Sequence, residues 1–129
     1  MADSLASDGV AIRMTAGPDG ARGAMEIHGA LLPRSLRSGR YKLYYVARIE
    51  TADGARPDAP AFSARVFDSL SSRYIAERKV TVADTKPGYA SYLVGTIDLN
   101  PYVRLWLGHD HDKAVKAVWF DRAFLVRAD

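Results

Sequence analysis

Apolar and polar residues alternate along most of this chain, and the clearest case lies near its C-terminal end. Over Tyr102–Leu107, Val103, Leu105 and Leu107 face one way while Tyr102, Arg104 and Trp106 face the other. Val115–Arg127 follows, too long and too apolar for a solvated edge. Between them runs the most polar loop of the protein, Gly108-His109-Asp110-His111-Asp112-Lys113. The pattern predicts two strands joined as a hairpin. Such a pair cannot bury its apolar face alone, so the rest of the chain must supply the covering sheet.

Tyr41–Glu50 is the strongest strand of the first half. Tyr41, Leu43, Tyr45, Ala47 and Ile49 line one face, and Lys42, Tyr44, Val46, Arg48 and Glu50 the other. Ala61–Phe67 alternates again, with Phe62, Ala64 and Val66 opposite Ala61, Ser63, Arg65 and Phe67. Shorter strands are predicted at Val10–Thr15 and Ala24–His28, and a longer one at Tyr89–Leu99, bulged at Gly95. Arg73–Ala83 carries mixed signals. Its centre favours helix, but Tyr74, Val80, Thr81 and Val82 favour strand, and it reads as a strand. Residues 29–39 have room for one helical turn, limited by Pro33 and Gly39.

Turn signals separate these segments every 8–12 residues or so, as in sandwiches and barrels. Eight strands without a long helical stripe predict an all-β fold, an antiparallel β-sandwich of jelly-roll type. With 129 residues the chain is one domain. Residues 1–8 form a loose lead-in, and residues 9–129 the sandwich.

The chain has no cysteine, which removes disulfides and thiol chemistry. Its net charge of +3 is mild and its arginines are scattered, which argues against nucleic acid as a partner. No apolar run reaches the roughly 18 residues of a transmembrane helix, so no membrane partner is expected. The first residues, MADSLASDG, do not read as a signal peptide. A bacterial domain cut from a longer exported protein, extracellular or periplasmic, and a free-standing cytoplasmic protein both fit that start.

If the strands run alternately up and down, loops 16–22, 51–60, 84–88 and 108–114 gather at one end. That end collects Arg56, His109, Asp110 and His111, with Tyr89 at its edge. His109 and His111, two apart, invite a metal reading. No glutamate follows them, however, and the only other histidine is the distant His28. A hydrated hairpin loop is the plainer reading, and no metal is expected. Trp106 shares a face with Tyr102 and Arg104 and runs straight into this loop. An aromatic ring beside polar groups suits a sugar, whose C–H face stacks while its hydroxyls bond. Ordinary packing is the competing reading for Trp106. Trp119, between Val118 and Phe120, reads as core, and Asp121-Arg122 as a structural ion pair.

Several segments resemble carbohydrate-binding modules of the galactose-binding-like jelly-roll fold, such as the C-terminal sandwich domains appended to bacterial glycoside-hydrolase-like proteins. These are Ala6–Met14, Ser38–Tyr44, Phe67-Asp68, Leu93–Leu99, Leu105-Trp106-Leu107 and Trp119–Leu125. The resemblance implies a non-catalytic module that binds glycan and holds an attached glycoside hydrolase near polysaccharide. The early paired acidic motif that often builds a structural calcium site in such modules is missing, so calcium is not indicated.

The expected function is therefore recognition of a polysaccharide or oligosaccharide by aromatic stacking and loop hydrogen bonds. The site residues expected are Trp106, His109, Asp110, His111, Arg56 and Tyr89, with no cofactor. Two other readings remain open: a structural or protein–protein interaction sandwich, and a cupin-like metalloenzyme.

Overall fold

The computed structural model describes residues 2, 11–15, 24–28, 39–110 and 112–128. The predicted lead-in over residues 3–8, the 16–22 loop, the possible helical turn before Gly39 and His111 lie outside the described residues. Eight strands form: β1 (Ile12–Met14), β2 (Ala24–His28), β3 (Gly39–Thr51), β4 (Pro60–Asp68), β5 (Arg73–Thr81), β6 (Ala90–Leu99), β7 (Val103–His109) and β8 (Val115–Arg127). A single 3₁₀ turn, Val82–Asp84, is the only helical element among the described residues. Among the described residues no helix is long and apolar enough to cross a membrane.

The strands make two four-stranded sheets, ordered β1-β8-β3-β6 and β2-β7-β4-β5. Every pairing is antiparallel. Only β4 and β5 are consecutive neighbours in one sheet. Every other connection crosses the sandwich, and this interleaved order is that of a jelly roll. The expected hairpin between β7 and β8 is thereby corrected. The two strands lie in opposite sheets, each turning its apolar face inward, and the polar loop between them spans the end of the sandwich.

The core follows the alternation. Leu43, Tyr45, Val118 and Phe120 from one sheet meet Phe62, Val66, Val80, Leu105 and Leu107 from the other. Aromatic rings interlock there edge to face, Tyr45 on Phe120 at 5.7 Å and Phe62 on Tyr92 at 5.3 Å. Register shifts interrupt the long strands, and two of them fall within β3's pairings beside this core. One register shift falls where Leu43 faces Gly95 and Tyr44 faces Leu93, beside the predicted bulge. The other leaves Asp121 as the extra residue, since Val46 pairs with Arg122 and Ala47 with Phe120. An aspartate inside an apolar strand thus occupies a position that owes nothing to the core.

Arg73–Thr81 is a strand although its centre is helix-friendly, because pairing with β4 along its length outweighs local propensity. It ends one turn earlier than the alternation suggested. Asp84 accepts hydrogen bonds from the backbone N–H and the hydroxyl of Thr81, at 3.2 and 2.9 Å, and closes the 3₁₀ turn. Those bonds hold its carboxyl below the usual aspartate range.

The described loops sort to the two ends as expected. At one end the Ala52 N–H donates to the Ala114 carbonyl and the Ala83 N–H to the Pro57 carbonyl, both at 2.8 Å. At the other the Ser69 N–H donates to the Tyr102 carbonyl. Asp68 organises that end, accepting bonds from the Leu70 N–H, the Ser71 hydroxyl and the Asn100 amide.

Candidate functional site

The outward residues of the β2-β7-β4-β5 sheet fall into rows fixed by strand register. Glu26, Trp106, Arg65 and Glu77 stand side by side across the four strands. In the next row Arg104 faces Phe67, which faces Tyr74. Together Glu26, Arg65, Phe67, Tyr74, Arg104 and Trp106 line an open cleft of about 370 Å³. Only the strict alternation of β7 and β4 puts these side chains here, because their neighbours Leu105, Leu107, Ala64 and Val66 are held in the core.

Trp106 is half-buried and lies along its own strand over Gly108. A Cβ at position 108 would fall 2.4 Å from the indole Cη2 and 2.6 Å from Cζ2. No side chain fits there while the ring keeps its place, so glycine is what lets the indole rest on the sheet. From inside the sandwich the Tyr45 hydroxyl donates to the Trp106 carbonyl at 3.3 Å. That bond crosses between the sheets and pins the strand beneath the ring. Burial pushes the Tyr45 phenol well above its ordinary pKa.

Charged groups flank the ring in opposite pairs. The Arg65 guanidinium stands 5.1 Å from the Trp106 ring centroid and 5.8 Å from that of Tyr74. Its Nε lies 2.9 Å from a Glu77 oxygen, too far off the N–H axis for a hydrogen bond, and has no aligned acceptor among the described residues. Arg104 lies 3.8 Å from Glu26. Tyr74 is 61 % exposed, yet its ring is steadied by the edge of Phe67 at 5.2 Å. The cleft therefore offers apolar ring faces, two guanidiniums and the Glu26 carboxylate, with Glu77 against Arg65 just outside the lining.

The structure distributes five of the six expected site residues over several places. Trp106 is on the outer face described above. Asp110 joins it through one intermediate: Gly108 pairs with Ser63, and the Ser63 hydroxyl donates to Asp110 Oδ1 at 2.7 Å. Arg56 is exposed at the same end of the sandwich, 3.5 Å from both Asp58 and Asp112. His109 is turned inward and buried, its Nε2 at 2.7 Å from the Val115 carbonyl. That contact makes Nε2 the protonated nitrogen, because a carbonyl can only accept. Tyr89 belongs to the opposite sheet, packed with Ala11, Ala117 and Trp119. His111 lies outside the described residues. No group of three or more His, Cys, Asp or Glu placed to hold a metal occurs among the described residues.

Trp119 is buried, as expected, but not in the main core. It lies on the outer face of the β1-β8-β3-β6 sheet, with Arg48 and Arg13 at 4.5 and 5.6 Å from its ring. Its Nε1–H donates to Glu50 at 2.6 Å. A register shift between Glu50 and Thr51 leaves Lys116 as the extra residue of β8, so Trp119 is out of phase with the core-facing Val115.

No protein-family model matches the sequence, and no curated protein matches it. Among solved structures the chain is similar to that of TmCBM61 in complex with β-1,4-galactotriose, with a TM-score of 0.44 and 14 % sequence identity. The likeness covers 81 % of this chain but 61 % of the other, so this chain spans less than two thirds of its neighbour's length. The fold described above stands on strand order and register, independently of that likeness.

Sequence reasoning placed Trp106 on a face with Tyr102 and Arg104 and missed the other residues beside it. Arg65, Phe67 and Arg104 were already on the right strand faces in the alternation. What was lacking was the pairing of β7 with both β2 and β4, which brings Glu26, Arg65 and Trp106 into one row. That pairing joins residues far apart in sequence, and periodicity within a strand carries no information about it.

Proposed function

We propose that this protein is a non-catalytic glycan-binding module, and that the sugar binds on the outer face of the β2-β7-β4-β5 sheet rather than at the loop rim alone. The observation that carries this reading is the Trp106 indole laid over Gly108, beside the Arg65–Glu77 and Arg104–Glu26 pairs. A sugar ring needs a flat apolar surface next to groups that replace water around its hydroxyls, and this cleft combines them. Asp110 and Arg56, at the end toward which the indole points, extend the polar margin. His109 supports the loop from inside, and Tyr89 serves the opposite face. The resemblance to modules that accompany glycoside hydrolases adds an attached hydrolase as the setting, with no resident metal.

A glycan array tests the proposal, with Trp106→Ala printed alongside the native protein. Stacking of one ring is worth roughly 1 kcal/mol or somewhat more beyond area burial, so the variant should bind about tenfold more weakly. Binding to no glycan by the native protein would remove the reading. Stoichiometric zinc, iron or manganese surviving dialysis would instead promote a metalloenzyme.

The second reading, a protein-interaction sandwich, draws on a different observation. Leu70 and Tyr102 are 72 % and 58 % exposed at the opposite end, on turns joined by the Ser69–Tyr102 backbone bond. Exposed apolar side chains grouped in this way mark partner surfaces. Loss of a protein partner on Leu70→Ser, with glycan binding absent, would favour it.

A further inference from the structure

The cleft contains a second exposed aromatic ring that the single-ring reading does not use. Tyr74 lies on β5, two strands away from Trp106 and one row along the sheet. Ordinary sheet spacing puts their Cα atoms roughly 12 Å apart. The Arg65 guanidinium is within cation–π range of both rings, so it stands between them. Tyr74 is not a loose surface residue, because Phe67 meets it edge to face and Arg65 approaches its face. Two steadied aromatics, with a guanidinium between them, make a track that runs diagonally across β7, β4 and β5.

We infer that this track takes a neutral oligosaccharide chain, with one sugar ring on Trp106, another on Tyr74, and the intervening unit hydrogen-bonded by Arg65. This inference rests on the glycan-binding reading and adds a chain-length requirement and a ligand class to it. The span between the rings exceeds what one pyranose can cover, so a monosaccharide engages only one of them. Neutrality follows from the pairing of the charges at the cleft. Each arginine faces a glutamate, Arg65 with Glu77 and Arg104 with Glu26. A uronate or sulfate placed on either guanidinium would meet that carboxylate as well, and like charges at such range repel. Hydroxyl groups have no such conflict, since they donate to carboxylates and accept from guanidiniums. The Arg65 side chain stays 35 % exposed beside Glu77, although its Nε is buried.

The test is calorimetric titration of the full chain with neutral β-1,4-linked gluco-, manno-, xylo- and galacto-oligosaccharides, from monosaccharide to tetrasaccharide. The expected result for the native protein is affinity that rises steeply once the chain can reach both rings. Tyr74→Ala should abolish that rise, on the order of tenfold, while leaving the short ligands unaffected. Trp106→Ala should weaken every length. Thermal unfolding of both variants, within a few degrees of native, keeps folding defects apart from binding. Equal affinity for all lengths, or a length dependence that Tyr74→Ala leaves intact, would overturn the two-ring track while leaving the glycan reading in place. Tighter, salt-sensitive binding of uronate or sulfated oligosaccharides would overturn the neutral class. Unchanged binding in Trp106→Ala would sink the glycan site itself, and the track with it.

Discussion

Gly108→Ala isolates the feature on which the site depends. The added methyl would sit 2.4 Å from Cη2 and 2.6 Å from Cζ2 of Trp106, closer than any packed carbon tolerates. The atoms in conflict are the far end of a side chain on the sheet surface, so the ring can swing away and the core need not move. Alanine in place of glycine within a strand stabilises by roughly 0.5–1 kcal/mol through lower unfolded-state entropy. Displacing the indole loses its rest on the sheet and its approach to Arg65, worth about 0.5–1 kcal/mol at such a site. These terms oppose each other, and net stability should change by less than about 1 kcal/mol. Binding should nevertheless fall about tenfold, as for Trp106→Ala. Denaturant unfolding measures the first quantity and calorimetric titration the second. A double-mutant cycle sharpens the test. In the Trp106→Ala background the clash is gone, so Gly108→Ala should stabilise, with a coupling of about 1 kcal/mol between the sites. Identical effects in both backgrounds, with binding unchanged, would refute the placement of the indole over Gly108.

The remaining predictions separate the core, the second tryptophan and the pinned strand. Phe62→Ala removes a fully buried ring packed on Tyr92, and should cost about 3–5 kcal/mol in denaturant unfolding. Trp119→Phe loses the bond to Glu50 and should destabilise by about 1–3 kcal/mol without altering glycan affinity, measured by unfolding beside titration. Tyr45→Phe removes the bond to the Trp106 carbonyl and should cost about 1 kcal/mol near neutral pH. The folded phenol ionises at higher pH than the unfolded one, so its stabilisation is complete below the ordinary value of 10.0 and is lost as pH rises above it. Stability of the native protein should therefore fall on the alkaline side, and Tyr45→Phe should flatten that fall in a pH series of thermal melts.

Much of the fold was legible because side-chain alternation in a strand has a period of two and leaves a direct trace. Tyr41, Leu43, Tyr45 and Ala47 read as one inward face, and all four are buried. The segments over Ala24–His28 and Val115–Arg127 have the bounds that alternation gave them. Trp119 reads as core from its neighbours Val118 and Phe120 and is buried, but in a second cluster on the face opposite theirs. The β7–β8 hairpin was expected because short polar loops commonly join paired strands, yet here the loop crosses between sheets. For the site, the sequence exposed one aromatic residue and a polar loop. It did not expose the row Glu26, Trp106, Arg65 and Glu77, which exists only through long-range pairing. His109 shows the converse. Polar neighbours in sequence made it resemble a ligand-binding group, while its side chain turns inward to the Val115 carbonyl.

The two tryptophans lie on opposite outer faces, and this makes one measurement decisive. Each indole N–H gives a separate proton–nitrogen resonance, assignable with Trp106→Phe and Trp119→Phe. The protein is titrated with the strongest oligosaccharide found in the length series while both signals are followed. The account predicts that the Trp106 signal shifts in a saturable way and that the Trp119 signal, held by Glu50 beneath Arg48, stays in place. A saturable shift of Trp119 with Trp106 unmoved would put the ligand on the other sheet and contradict the account.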